Sequence, residues 1–294
     1  MGAQRSFRFG VNMIASGSRA EWAAKCRRAE ELGFDVLGVA DHLGMPAPFP
    51  SLVLAAEVTA APRLTTFVLN TPFYNPVLLA REIATVDAIT DGRLELGVGA
   101  GYVRAEFEAA DIPFGTGGAR IGQLGAALGS IKGLLADPGY EPRPSRPGGP
   151  PVLIAGWGDK LLALAAEHAD IIGFTGAAAA TNGGPLVAAG PAAYGERVAT
   201  ARRLLGARAD SVEFNLLIQQ VAGPGERAAL LERVGDMLPA EIAGKPEELP
   251  ILLVGTPEEI AERLRERRER WGFGYITVME EHMETFAPVI PLLR

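Results

Sequence analysis

The chain has 294 residues, 48% of them hydrophobic and 21% charged, with a net charge of −7 and no basic block. That length fits one large α/β domain over 1–294, and the acidic balance argues against a nucleic-acid partner, whose phosphates need a positive surface. The single cysteine, Cys26, excludes an internal disulfide and a cysteine-built metal cluster and fits a reducing, cytoplasmic compartment, while no apolar run reaches the ~18 residues of a membrane span.

The N-terminal segment carries no apolar signal core and enters a strand almost at once. Strand-like runs are predicted at 7–13, 36–40, 64–69, 94–98, 152–155, 171–174, 212–221 and 275–279. Helical three-to-four spacing falls between most of them, at 20–32, 52–61, 77–89, 160–168, 193–205 and 257–271. Eight strands alternating with helices predict a parallel (β/α)8 TIM barrel. The rival is a doubly wound open sheet, which normally opens on a glycine-rich first turn; here that turn is Ile14-Ala15-Ser16-Gly17-Ser18. Ser18-x-x-Glu21 and Thr256-x-x-Glu259 read as capping boxes, and Gly33 as a helix C-cap.

Two segments break the rhythm. Residues 103–150 hold one weak helix, at 120–135, and then a Pro/Gly/Arg stretch. Residues 177–191 are almost entirely Ala, Gly, Thr, Asn and Pro. Both follow strand ends and are expected as insertions over the mouth, the second as a hinged lid.

The chemistry sits at strand ends. The second strand closes on Ala40-Asp41-His42 and breaks into a Gly/Pro loop, which puts an imidazole at the catalytic face of a barrel. Phe67-Val68-Leu69-Asn70-Thr71-Pro72-Phe73-Tyr74 could wall a ring system or serve only as a loop that starts the next helix. Gly97-Val98-Gly99-Ala100-Gly101-Tyr102 strips side chains from a strand end, either to admit a flat ligand or to pack a barrel corner. Ala155-Gly156-Trp157-Gly158-Asp159-Lys160 precedes a helix whose free N–H groups suit a phosphate, with Asp159 expected to cap that helix. His168 reads as structural, and Glu280, Glu281 and His282 as a solvated tail. No metal-ligand spacing appears.

Taken together, VADH, LTTFVLNTPFYNP, AREIATVDAITDGRLELGVGAGY, PVLIAGWGDKLLALAAEHADIIG and LVGTPEEIAERL resemble the bacterial luciferase-like superfamily, most of all its coenzyme F420-dependent branch. The likeness runs from about Phe7 to Met279. It implies a TIM barrel with a flavin-type ring at the strand ends, F420 as cofactor, and FMN as the alternative in a monooxygenase. It also implies a non-prolyl cis peptide at Phe67-Val68 and a catalytic pair, His42 and Asp41, with Asp41 orienting His42 or stabilising its charge. The implied cofactor contacts are Phe67, Val68, Asn70, Gly99, Ala100, Gly101 and Tyr102, then Ala155, Gly156, Trp157 and Gly158, and finally Thr175 and Gly176. Three departures stand out: Trp157 replaces the usual glycine, Tyr102 a catalytic glutamate of the sugar-phosphate branch, and Gly125 a glutamate. The expected partners are a small-molecule substrate and a second copy of the chain as a homodimer, with neither nucleic acid nor membrane. A cofactor-binding relative without catalysis is a different class of reading, against which His42 argues.

Overall fold

The computed structural model describes residues 5–14, 17–178, 187–234, 242 and 245–294. Eight parallel strands form the barrel: β1 Arg8–Met13, β2 Val36–Val39, β3 Arg63–Thr66, β4 Leu94–Gly99, β5 Val152–Ala155, β6 Ile171–Phe174, β7 Glu213–Ile218 and β8 Phe273–Met279. Each pairs with its sequence neighbour, and β1 pairs with β8, which closes the ring. The flanking helices are α1 Arg19–Glu31, α2 Pro48–Val58, α3 Pro76–Ile89, α4 Arg104–Ala109, α5 Gly117–Ala136, α6 Asp159–His168, α7 Pro191–Leu205, α8 Arg227–Val234 and α9 Pro257–Trp271. Both capping boxes form, Ser18 with Glu21 and Thr256 with Glu259. The C-cap reading also holds: Gly33 follows α1 with φ +89°.

Apolar side chains pack in two places. The larger cluster fills the space between barrel and helices. A smaller one, built on Val36, Phe67, Leu153, Ile171, Leu217 and Tyr275, is fed by side chains of β2 and of β5 through β8. Charges knit the strands together at their N-terminal ends: Arg8 bridges Glu95 at 2.6 Å and Glu213 at 2.5 Å, and Arg63 reaches Glu95 at 2.5 Å. Those pairs occupy the rim opposite the strand ends where His42 stands.

Three expectations change. The 64–69 run is not one strand: β3 stops at Thr66, the Phe67–Val68 peptide is cis, and Leu69–Asn70 pairs separately with Val98 and Gly99. The 212–221 run also divides. Gln219 and Gln220 both donate their N–H to the Ile251 carbonyl, and Gln220–Ala222 leaves the barrel to pair with Leu252–Val254, a strand that short apolar spacing did not reveal. Finally, 103–150 holds two helices. α5 is longer than expected because its buried face, Leu124, Ala127, Leu128, Ile131 and Leu135, outweighs the propensity cost of its glycines. At Gly125 a side chain would sit 3.0 Å from Leu164. Of the expected lid, residues 179–186 lie outside the described ones; at its edges Ala177–Ala178 pairs antiparallel with Val187–Ala188.

Candidate active site

A cavity of about 460 Å³ opens at the carboxyl ends of the strands. That is within the usual range for small-molecule sites. Asp41, His42, Phe67, Val68, Asn70, Gly99, Ala100, Gly101, Tyr102, Ala155, Gly156, Trp157 and Thr175 all line it. Two sequence candidates do not. Gly176 is packed behind the wall, where a Cβ would fall 1.8 Å from the Tyr194 hydroxyl. Gly158 sits at the rim as the N-cap of α6.

β2 ends at Val39, and the chain carries Asp41 and His42 straight onto the rim. Asp41 does not hold His42. Its Oδ2 accepts the Asn70 N–H at 2.8 Å and the Tyr74 O–H at 3.0 Å, tying the end of β2 to the loop after β3. Burial raises its pKa, and those two bonds pull it the other way. Burial and the Asp41 carboxylate push the Tyr74 phenol up, so Tyr74 keeps its proton and donates. The contact expected from Asp41 comes instead from Glu106 on α4, whose Oε1 lies 2.8 Å from His42 Nδ1. On the other side of the ring, Nε2 is 3.5 Å from the Tyr102 hydroxyl, the two rings meeting edge-on with centroids 5.6 Å apart. Desolvation and the nearby Glu106 raise the Tyr102 phenol, keeping it protonated.

The glycine-rich strand end is set by packing and lines the cavity. At Gly97 a Cβ would lie 1.8 Å from the Thr66 carbonyl oxygen. At Gly101, with φ +71°, it would lie 2.2 Å from Asn70 Oδ1. Both exclude side chains for packing reasons, and Gly99 to Gly101 then present bare backbone to the cavity. Arg120 stacks 3.8 Å from the Phe114 ring centre and donates to the Gly101 carbonyl at 3.0 Å, fixing this turn from behind.

Elsewhere the candidates change place. Phe73 turns away from the cavity onto Phe107, and Tyr74 onto Asp41, so neither walls the ring space. Asp159 is the first helical residue of α6 rather than its cap, and pairs with Arg197. Trp157 lines the cavity with its ring edge-on to Tyr194, centroids 4.8 Å apart. Glu280 accepts the Ile14 N–H at 2.8 Å and pairs with Lys25 at 2.6 Å. His282 is buried, not part of a solvated tail, and burial lowers its pKa. The sequence reading missed Asn12, Met45, Glu106, Leu217, Gln219 and Met279 as wall residues.

A flavin-type ring and its phosphate tail fit this arrangement. Phe67, Val68, Leu217 and Met279 offer an apolar surface, Gly99–Gly101 and Ala155–Gly156 open backbone, and α6 an N-terminus without a side-chain cap. Among the described residues no cluster of His, Cys, Asp and Glu is placed to hold a metal, and no helix is long and apolar enough to cross a membrane.

Comparison with known proteins agrees with this fold. A stretch of 174 residues, 55% of the chain, is 28% identical to the 5,10-methylenetetrahydromethanopterin reductase of Archaeoglobus fulgidus, covering 51% of that protein. A shorter stretch of 123 residues, 39% of the chain, is 34% identical to the F420-dependent glucose-6-phosphate dehydrogenase of Kribbella flavida and covers 37% of it. Over 88 residues, 28% of the chain, it is 33% identical to the oxygenase component of the flavin-dependent trigonelline monooxygenase of Acinetobacter baylyi, 24% of that protein. The chain thus spans about half or less of these relatives. The fold superimposes on the coenzyme F420-dependent tetrahydromethanopterin reductase of Methanopyrus kandleri with a TM-score of 0.76 at 18% identity, covering 99% of this chain and 100% of that one. Residues 5–275 match the family model for luciferase-like monooxygenases, and the chain belongs to that family.

Proposed function

We propose that the protein is an F420-dependent oxidoreductase that passes a hydride between the deazaflavin and a small organic substrate. The observation that carries this reading is His42 lining the same cavity as the open backbone of Gly99–Gly101, with Nε2 left without a close partner at 3.5 Å from the Tyr102 hydroxyl. Phe67 and Val68 would back the ring, Gly99 to Gly101 would border it, and the 156–160 turn with Lys160 would take the phosphate. The deazaflavin, when bound, supplies the hydride chemistry. The chain positions the substrate and moves a proton. A carbinol carbon that gives up a hydride also releases its hydroxyl proton, and His42 Nε2 would receive it; in the reverse direction it would return the proton to the carbonyl oxygen. An imidazole is suited to that exchange near neutral pH. The likeness to the F420-dependent glucose-6-phosphate dehydrogenase of Kribbella flavida supports this cofactor. The match to a flavin-dependent monooxygenase supports the second reading, an FMN enzyme that activates oxygen in the same cavity.

The test is anaerobic. Protein is mixed with reduced F420 and a panel of enones, imines and ketones, and the visible absorption of the deazaflavin is followed. Substrate-dependent oxidation without oxygen is the expected result. Turnover seen only with reduced FMN and oxygen would replace the first reading by the second.

A further inference from the structure

We propose that Glu106 is a positioning residue that sets which nitrogen of His42 carries the proton: Nδ1 is protonated and Nε2 is left as the acceptor toward the cavity. A carboxylate can only accept hydrogen bonds. With Oε1 2.8 Å from Nδ1, a neutral imidazole meets Glu106 favourably only as the Nδ1–H tautomer. The Tyr102 hydroxyl, at 3.5 Å, is at the far edge of hydrogen-bond range from Nε2, so that lone pair is left for a ligand.

The support beneath Glu106 is rigid. α4 is anchored by Phe107, fully buried, whose ring meets Phe73 and Phe114 edge-on at 5.0 Å each. The Glu106 side chain is 13% exposed. Its second oxygen, Oε2, is buried without a hydrogen-bond partner among the described residues. The neighbouring charges are otherwise engaged: Arg104 lies over Phe114 and 3.8 Å from Glu108, and Asp41 is held by Asn70 and Tyr74. His42 is therefore the described partner that holds this carboxylate in place. The logic is that of a carboxylate fixing a catalytic imidazole, in which an amide in place of the acid lets the wrong tautomer form.

The catalytic part of this inference rests on the proton-transfer reading of His42; the tautomer does not. The experiment is long-range 1H–15N NMR on protein carrying 15N-histidine, at a pH where the imidazole is neutral. The chain has three histidines, so His42→Ala assigns the signals. The expected spectrum shows His42 protonated on Nδ1 in wild type and in Glu106→Asp. In Glu106→Gln, whose amide can donate to Nδ1, the Nε2–H form should appear. Turnover of Glu106→Gln should fall at least ~10-fold and by no more than the ~10²–10⁴ that acid–base catalysis contributes, with kcat carrying the loss and KM nearly unchanged. Glu106→Asp should recover part of it. An Nε2–H ring in wild type, or a Glu106→Gln variant that keeps both tautomer and turnover, overturns the proposal. A fixed Nδ1–H ring in a protein inert toward F420 supports the positioning role and sinks the cofactor reading. F420 turnover with an Nε2–H ring sinks the positioning role alone.

Discussion

Asp41 was expected to serve His42, and the structure gives it a different task, which Asp41→Ala tests. Oδ2 accepts both the Asn70 N–H and the Tyr74 O–H. Alanine leaves two donors without an acceptor in a partly buried place, at the lower part of the ~1–3 kcal/mol each that such a loss costs. Removing a desolvated carboxylate returns part of that, since burial already raises its pKa. The net loss should be about 2–4 kcal/mol, or roughly 4–8 °C in Tm for a chain of this size. Asp41→Asn places one carbonyl oxygen where Oδ2 stood and should cost under ~1 kcal/mol. Tyr74→Phe should cost about 1 kcal/mol and couple to Asp41→Ala in a double-mutant cycle. Urea unfolding followed by circular dichroism measures all four. The pH dependence has a definite sign. A carboxyl whose folded pKa lies above its ordinary 3.8 contributes stability below that value and loses it as pH rises through the folded pKa. Asp41→Asn should therefore gain on wild type as pH climbs from ~3.8. An Asp41→Ala loss under ~0.5 kcal/mol, or an Asp41→Asn variant as unstable as Asp41→Ala, would refute the reasoning.

Three further expectations follow from the site. His42→Ala should lower turnover by ~10²–10⁴-fold while cofactor affinity changes little; normal steady-state rates would make His42 a shape residue. At Gly158 nothing lies within 4 Å of an added Cβ, and φ is an ordinary −77°. Gly158→Asp should keep the fold and even cap α6 better, yet weaken anion binding by ~1–2 kcal/mol, about tenfold, through like charge; isothermal titration with the cofactor reads this, and an unchanged Kd would return the turn to a purely structural role. Burial pushes the Cys26 thiol up to about 12, so it should resist alkylation in the folded protein and react only on unfolding; rapid labelling under native conditions would contradict that.

Period and punctuation made the barrel readable. Six of the eight apolar runs, both capping boxes and Gly33 stand where the fold puts them, because each is a local device; the 64–69 and 212–221 runs each divide. Non-local partners were not readable. At Gln219–Gln220 the chain stays extended while its pairing partner changes from β8 to Leu252–Val254, a switch set by a distant strand. Glu106 was hidden for a similar reason. α4 is six residues long, has Val103 as an N-cap that makes no side-chain hydrogen bond, and presents Arg104, Glu106 and Glu108 as an ordinary charged turn. Only the packing of Phe107 shows which of these acids turns inward. Asp41 was placed correctly on the rim, but sequence adjacency to His42 suggested contact with it. Successive residues at a strand end point in different directions, so Asp41 reached the next strand's loop and left the imidazole to a helix more than sixty residues on.

The central claim is the cofactor, and paired equilibrium titrations of the purified protein with F420 and with FMN test it most directly. F420 should bind more tightly, and Gly158→Asp should weaken that binding in a folded variant. Tight FMN binding with no measurable F420 binding would contradict it.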